Sequence, residues 1–378
     1  MRAFWVPTKP PFGNYDDPDS NGGRRPPLQE DYVNILLIQL KRIGDLVLTT
    51  PAIEAIRQKF PDAKITLVVS HECAGLVPAI PGIAQTLVMR RGFSDLDIFL
   101  KVARTKFDYC IDFTQNNRSA LLAFLSRARK RVASGRIRRR SRLRRSAYNE
   151  FVRHRMRDMH TIDHNLALLE PLGIREVSPP VSLTLPPNAH EKANALRKHS
   201  NIKEAFVIFH PGSARVEKFW ETDRWAEAIM HAVVQWNVTA VLSGGSSPQE
   251  KAHLAEIESK LPPPTGNAPA PVVDLSGKID LLTFAALIQN ARLLVTVDTA
   301  PMHLAGATRT PQIILFGPTN PFHWRPRTSP AIILQGESGI PVHDFAPAQP
   351  RLSTKLISTR AVIDAMDSLL SIPTSHAL

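Results

Sequence analysis

The chain has 378 residues, 43% of them apolar, which is enough for two domains with their own cores. Lys and Arg outnumber Asp and Glu 47 to 34, a net charge of +13, which favours anionic partners: a nucleotide-sugar, a phosphorylated glycolipid, an anionic membrane or a nucleic acid. The two cysteines, Cys73 and Cys110, form neither a disulfide framework nor a metal-binding spacing, so a reducing cytoplasm is the expected setting; neither a signal peptide nor a membrane span is expected.

Residues 1–30 are rich in Pro, Gly, Asn and Asp and are expected to form a disordered leader. The pattern predicts a buried strand at 32–40, a loop at 41–45 and a helix at 46–60. Strands follow at 64–69 and 107–112, the latter ending in a polar loop at 113–117. Such alternation predicts a parallel, doubly wound sheet. Residues 127–157 interrupt it with fourteen Lys and Arg in thirty-one positions, and no clean helical stripe. A loop is expected here, and three readings stand open. It is a solvated loop, an arm facing an anionic substrate or an anionic leaflet, or a nucleic-acid contact. Each basic residue near such a leaflet gains about 1 kcal/mol. The nucleic-acid reading is the weakest, because only Tyr148 and Phe151 interleave the charges.

A helix at 161–172, closed by Gly173, leads to a four-proline linker at 178–187. The second half repeats the alternation, with strands at 206–209, 238–242, 293–297 and 312–316. Helices are expected at 189–198, 225–235, 248–261, 281–290 and 359–370, and loops at 262–271 and 338–350. The expected division is therefore 1–30 leader, 31–186 first domain, 187–345 second domain and 346–378 tail.

Three strands of the second half end in loops suited to phosphate or sugar. The strand at 293–297 runs into Asp298-Thr299-Ala300-Pro301 and then a helix carrying His303. Pro301 fits a first helical turn, and the free N–H groups there attract anions. The strand at 206–209 ends in His210-Pro211-Gly212-Ser213, with Lys218 close behind. Gly212 permits close backbone approach, Ser213 offers a hydroxyl and Lys218 a mobile positive charge. The strand at 238–242 ends near Gly244-Gly245, with Glu250 just beyond. Fingerprints of dinucleotide oxidoreductases and P-loop NTPases are absent.

These motifs resemble glycosyltransferase family 9, the ADP-heptose:lipopolysaccharide heptosyltransferases. The resemblance rests on the segment 298–305, on Phe316-Gly317-Pro318-Thr319-Asn320-Pro321, on His210-Pro211-Gly212-Ser213 with Lys218 and Trp220, and on Arg42-Ile43-Gly44-Asp45 with Thr50-Pro51. It runs in order from about Asn34 to Phe322. Ala300 departs from it, where the family often has glycine. It implies an α/β fold of GT-B type, two Rossmann-like doubly wound domains facing across a cleft, with the terminal helix packed back on the first domain. It also implies an inverting, metal-independent transfer of heptose, or a similar sugar, from ADP-heptose to a lipopolysaccharide inner-core acceptor. ADP-sugar is then a co-substrate and no cofactor is expected. The enzyme is expected in the cytoplasm, peripheral on the inner face of the inner membrane.

Inverting transfer needs a base for the acceptor hydroxyl and positive groups for the leaving diphosphate. The resemblance puts the base at Asp45, which the residues alone read rather as a helix cap. Lys218, Ser213, Gly212 and the N–H groups after Thr299, beside Ala300 and Pro301, are the candidates for the diphosphate. Asp298 either accepts from sugar hydroxyls or fixes its loop. His303 is either packed or a ligand. Glu250 and Lys278 are candidates near the adenosine, and Glu250 reads equally as a surface helix residue. Arg42, Asn116 and Arg118 are the acceptor candidates, and Asp112 is the reserve base. Asp95-Leu96-Asp97 spells a D-x-D but begins a predicted helix, so it is read as a cap. A nucleotide-sugar epimerase of the same fold, and a non-catalytic basic protein for membrane or RNA, are the alternatives.

Overall fold

The computed structural model describes residues 32–90, 92, 95–137, 142–263, 271–337 and 339–372, so the expected leader lies outside the described residues. Runs of Ile, Leu and Val form the central strands, as parallel sheets buried on both faces require. The first half holds β1 (Asn34–Gln39), α1 (Ile43–Val47), α2 (Thr50–Lys59), β2 (Lys64–Ser70), α3 (His71–Ala74), β3 (Ile83–Met89) and α4 (Leu96–Arg104). It continues with β4 (Tyr109–Asp112), α5 (Asn117–Leu125), β5 (Lys130–Ser134), α6 (Arg142–Ser146), β6 (Glu150–Val152) and α7 (Thr161–Ala167). The second half begins with α8 (Pro187–His199), β7 (Phe206–His210), α9 (Thr222–Trp236), β8 (Thr239–Leu242), α10 (Pro248–Ser259), β9 (Val272–Asp274) and α11 (Leu281–Asn290). It ends with β10 (Leu293–Val297), α12 (Ala300–Thr308), β11 (Gln312–Phe316), α13 (Pro321–Trp324), β12 (Ala331–Gln335) and α14 (Thr359–Leu370).

Each half builds one six-stranded parallel sheet. The orders are β3-β2-β1-β4-β5-β6 and β12-β11-β10-β7-β8-β9. Both are the Rossmann order, and the strand sequence reverses between β1 and β4 and between β7 and β10. Ligands of such sheets sit outside the carboxyl ends of strands at these reversals. Two doubly wound domains facing across a cleft make this a GT-B fold. One continuous buried cluster joins the halves, from Ile35, Leu46 and Ile53 to Ile208, Leu294 and Leu304.

Several expectations need correction. The helix expected at 46–60 starts at Ile43 and breaks after Val47. Pro51 has no N–H for the Val47 carbonyl, and the Thr50 hydroxyl donates to it instead at 2.8 Å. The basic run is not a loop: it contains β5, α6 and β6, although residues 138–141 lie outside the described residues. Val132, Ala133 and Ser134 are buried there, and the Arg131 guanidinium donates to the carbonyls of Ala128 and Ala147, both at 2.8 Å. The charge density hid a strand whose basic side chains brace backbone.

The terminal helix does not pack back on the first domain. Val362, Ala365, Met366 and Leu370 belong to the second sheet's core with Val207 and Trp225. Asp367 of α14 accepts from His231 and Trp236 at 2.8 and 2.7 Å, which fixes the helix beside α9. Strands β3, β9 and β12 were also not expected. The helix at 161–172 is real as α7 plus a 3-10 turn, and Gly173 closes it with φ of 76°.

Candidate active site

A cavity of about 480 Å³ opens between the carboxyl ends of the two sheets. Arg42, Gly44, Asp45 and Glu72 line it from the first half. Ser213, Lys218, Gly244, Gly245, Glu250, Asp298, Thr299, Ala300, Pro301 and His303 line it from the second. A second cavity of about 810 Å³ lies wholly on the first-half side apart from Ala214, and is lined by Lys41, Arg42, His71, Arg90 and Arg118 among others. Arg42, Asp45 and Glu72 line both.

Asp45 is the third residue of α1, not its cap, because Arg42 holds the cap position. Its Oδ2 accepts the Arg42 N–H at 3.4 Å. Burial raises its carboxyl above the ordinary carboxylate range, against the opposing pull of Lys41. A buried polar network holds this turn: Gln39 donates to the Thr49 hydroxyl at 2.8 Å, Thr49 donates to the Asp45 carbonyl at 2.7 Å, and Asn165 donates to the Leu48 carbonyl at 3.0 Å. None of these three was singled out from sequence.

His303 is packed on Gly44. A Cβ at Gly44 would stand 2.3 Å from His303 Cδ2. The ring lines the cavity and also forms the contact between α1 and α12. Burial holds its pKa down at about 4, so it is neutral.

Lys218 is anchored, not mobile. Its Nζ donates to the backbone carbonyl and to Oδ2 of Asp298, both at 2.7 Å. Both side chains are buried, and Thr319 donates to the same carboxylate oxygen. Two of the three ammonium donors are thus committed to Asp298, which fixes the loop. This happens because the loop after β7 crosses the carboxyl end of its neighbour β10.

Glu250 is not a surface helix residue. It is buried at the start of α10, where the Ser247 hydroxyl donates to Oε2 at 2.8 Å. A Cβ at Gly212 would be 2.7 Å from Oε1, and one at Gly245 would be 2.5 Å from Oε2. Both glycines are therefore needed for Glu250 to reach the cavity wall between two loops.

Three candidates stand elsewhere. Lys278 does not line the cavity and pairs with Asp274 at 3.1 Å. Asn116 caps α5 by accepting the Ser119 N–H at 2.9 Å. Asp112 is fully buried, accepts from Thr114 N–H, Gln115 N–H and the Tyr148 hydroxyl, and lines neither cavity. Asp95 occupies the cap position of α4 without capping it; its carboxylate accepts from Arg90 N–H and Arg118. Trp220 is a core residue whose Nε1 donates to the Ile357 carbonyl at 2.8 Å. Sequence reasoning also missed Glu72, Thr319 and Trp324, all of which line the inter-sheet cavity. A signal for Thr319 was present in the segment 316–321.

The profile of glycosyltransferase family 9 (heptosyltransferase) matches residues 97–343. The chain belongs to this family. This family 9 glycosyltransferase is 27% identical over 291 residues to lipopolysaccharide heptosyltransferase 3 of Escherichia coli, covering 75% of this chain and 83% of the relative. In fold it is similar to a family 9 glycosyl transferase from Veillonella parvula, with a TM-score of 0.76 at 23% identity over 90% of this chain and 98% of the other. It is also similar to the E. coli ADP-heptose LPS heptosyltransferase II, with a TM-score of 0.74 at 20% identity over 89% and 98% of the two chains.

Proposed function

We propose that this glycosyltransferase moves heptose, or a similar sugar, from ADP-heptose to an inner-core lipopolysaccharide acceptor, with inversion and without a metal. The observation that carries the proposal is the position of Asp45 on the wall shared by the two cavities. The inter-sheet cavity takes the donor, with the diphosphate at Ser213, Lys218 and the first N–H groups of α12, and the ribose hydroxyls at Glu250. The first-half cavity takes the acceptor, and its Lys41, Arg42, Arg90 and Arg118 suit phosphate or carboxylate groups on a sugar.

In this arrangement the acceptor hydroxyl gives its proton to the Asp45 carboxylate as its oxygen bonds to the anomeric carbon. The bond from that carbon to the diphosphate breaks on the opposite face, and ADP leaves with the electron pair. Charge growing on the diphosphate is met by the remaining Lys218 donor and by the helix N-terminus. The raised pKa of Asp45 suits a base that takes up a proton during the reaction. A lipid-linked acceptor implies work in the cytoplasm at the inner face of the inner membrane.

The test is ADP release from ADP-heptose with and without a deacylated inner-core acceptor. Release that requires the acceptor is expected. Acceptor-independent conversion of the sugar would make the protein an epimerase. NMR of the product linkage reads inversion, and full activity in EDTA is expected of a metal-independent reaction.

A further inference from the structure

Helices α4 and α5 cover one face of the first sheet, with Ile98, Val102 and Leu122 in its core, and α6, which is followed by the buried Ala147, packs against α5. Their outer side also carries large apolar side chains. Leu96 and Leu100, 61% and 44% exposed, stand one turn apart on α4. Leu121 and Phe124, 46% and 56% exposed, stand one turn apart on α5, and Leu143 on α6 is 84% exposed. The three helices are tied together: the Arg127 guanidinium donates to the Ala103 carbonyl, and Arg144 donates to the Gln115 carbonyl at 3.3 Å. A cluster of large apolar side chains on adjacent helices marks an interaction surface.

The charge around it names the partner. Between residues 96 and 149 the sequence has fifteen Lys and Arg against three Asp, which is +12 of the chain's +13; Arg138, Arg139 and Arg140 of that count lie outside the described residues. Lys101, Arg104, Arg127, Arg129, Arg142 and Arg145 are exposed. Of the three acids, Asp112 is buried, Asp108 accepts the Asn34 N–H and Asp97 is exposed. A second copy of so basic a face would repel the first. A nucleic acid would need aromatic platforms, and Tyr148 is buried and Phe99 and Phe151 half-buried, which leaves Phe124 exposed. Apolar side chains ringed by cations fit a bilayer interface with anionic headgroups.

We propose that the outer face of α4, α5 and α6 docks this enzyme on an anionic phospholipid leaflet. Arg118 of α5 lines the acceptor-side cavity and pairs with Asp95 at the start of α4, so the face runs up to that cavity's rim. The consequence for catalysis rests on the function proposed above: docking brings the acceptor cavity to the surface that anchors a lipid-linked acceptor.

Co-sedimentation of the full chain with vesicles tests this. Vesicles of phosphatidylglycerol and phosphatidylethanolamine are expected to bind it, and vesicles of phosphatidylcholine much less. Leu100→Gln and Phe124→Gln should each weaken binding about tenfold at low and high salt alike, because they remove apolar insertion. Arg142→Gln and Arg145→Gln should each weaken it about fivefold at low salt, with the loss fading as salt rises. Turnover of a deacylated acceptor in solution should be unchanged in all four variants, while turnover of an acceptor held in vesicles should fall with binding. Equal binding to phosphatidylcholine, or wild-type binding by the Leu100→Gln, Phe124→Gln double variant, overturns the proposal. So does a dimer that the double variant dissociates, or tighter binding to single-stranded RNA than to anionic vesicles. Vesicle binding is read without substrate, so failure of the transferase reading would show separately, as absent turnover in the wild type.

Discussion

Three features set the carboxylate of Asp45: its place in the first turn of α1, its desolvation, and the Gln39–Thr49–Asn165 network that holds the turn. Asp45→Asn keeps the shape but cannot take a proton. As the proposed general base, its loss should lower kcat about 10²–10⁴-fold, with ADP-sugar affinity unchanged by calorimetry. The pH dependence follows from the raised pKa. Activity should fall on acidification at a pH above the ordinary carboxylate range, because Asp45 protonates early. The same shift has a stability sign. An acid with a raised folded pKa favours the fold when protonated, and that contribution is lost as pH rises through the folded value. Asp45→Asn should therefore melt at the wild-type temperature or above at neutral pH, with the difference vanishing below the ordinary Asp pKa. At Glu250 the expectation is different. Glu250→Ala removes a carboxylate held between two glycine loops and should cost about 1.5–3 kcal/mol of donor binding, with a smaller change in kcat.

At the scale of elements, two joints define the cleft. The first is α1 against α12, where the His303 ring lies on Gly44. Gly44→Ala adds a methyl where the ring already stands, and overpacking of this kind costs about 1–3 kcal/mol. His303→Ala should relieve it, so urea unfolding of the double variant should show a coupling above about 0.5 kcal/mol. Additive effects would mean that the ring moves freely away. The second joint is the loop after β7 against the end of β10, held by Lys218 and Asp298. Lys218→Ala leaves a buried carboxylate unpaired and should cost about 3–5 kcal/mol of stability as well as turnover. Removing Asp298 too should restore part of the stability but none of the activity.

For the molecule as a whole, the halves meet again on either side of the cavity residue Trp324. Arg327 makes a bidentate pair with Asp163 at 2.7 and 2.8 Å, and His160 and His323 each bond a carbonyl of the opposite half at 2.9 Å. Burial lowers the pKa of His160 to about 3 and those of His164, His210 and His303 to about 4. Each is neutral when folded and protonates near 6.5 when unfolded. A depressed base contributes stability that is present above about 6.5 and lost as pH falls toward its folded value. The urea midpoint should hold from neutral pH down to about 6.5 and then fall, with up to about 1.4 kcal/mol per pH unit from each histidine. A midpoint flat down to pH about 4.5 would count against this set of histidines.

What could be read from the chain was local. Apolar runs and Gly/Pro turns marked β1, β7, β8, β10 and β11, because a buried parallel strand must be apolar and its exit loop must turn sharply. The segments 42–45, 210–218 and 298–303 carried most of the cavity wall for the same reason. What needed the folded chain was long-range. Glu250 reaches the cavity only because two separate loops lack side chains there, and Asp112 is engaged by Tyr148 of another segment as well as by the N–H groups of its own loop. The amphipathic stripe of α14 does not name the sheet it covers; in the folded chain it packs on the second, where Asp367 meets His231 and Trp236. Nor does any one helix show the outer apolar face of α4, α5 and α6, since each contributes only one or two residues and adjacency in the sheet brings them together. Local preference reports whether a residue is buried, whereas the partner that buries it is chosen by topology.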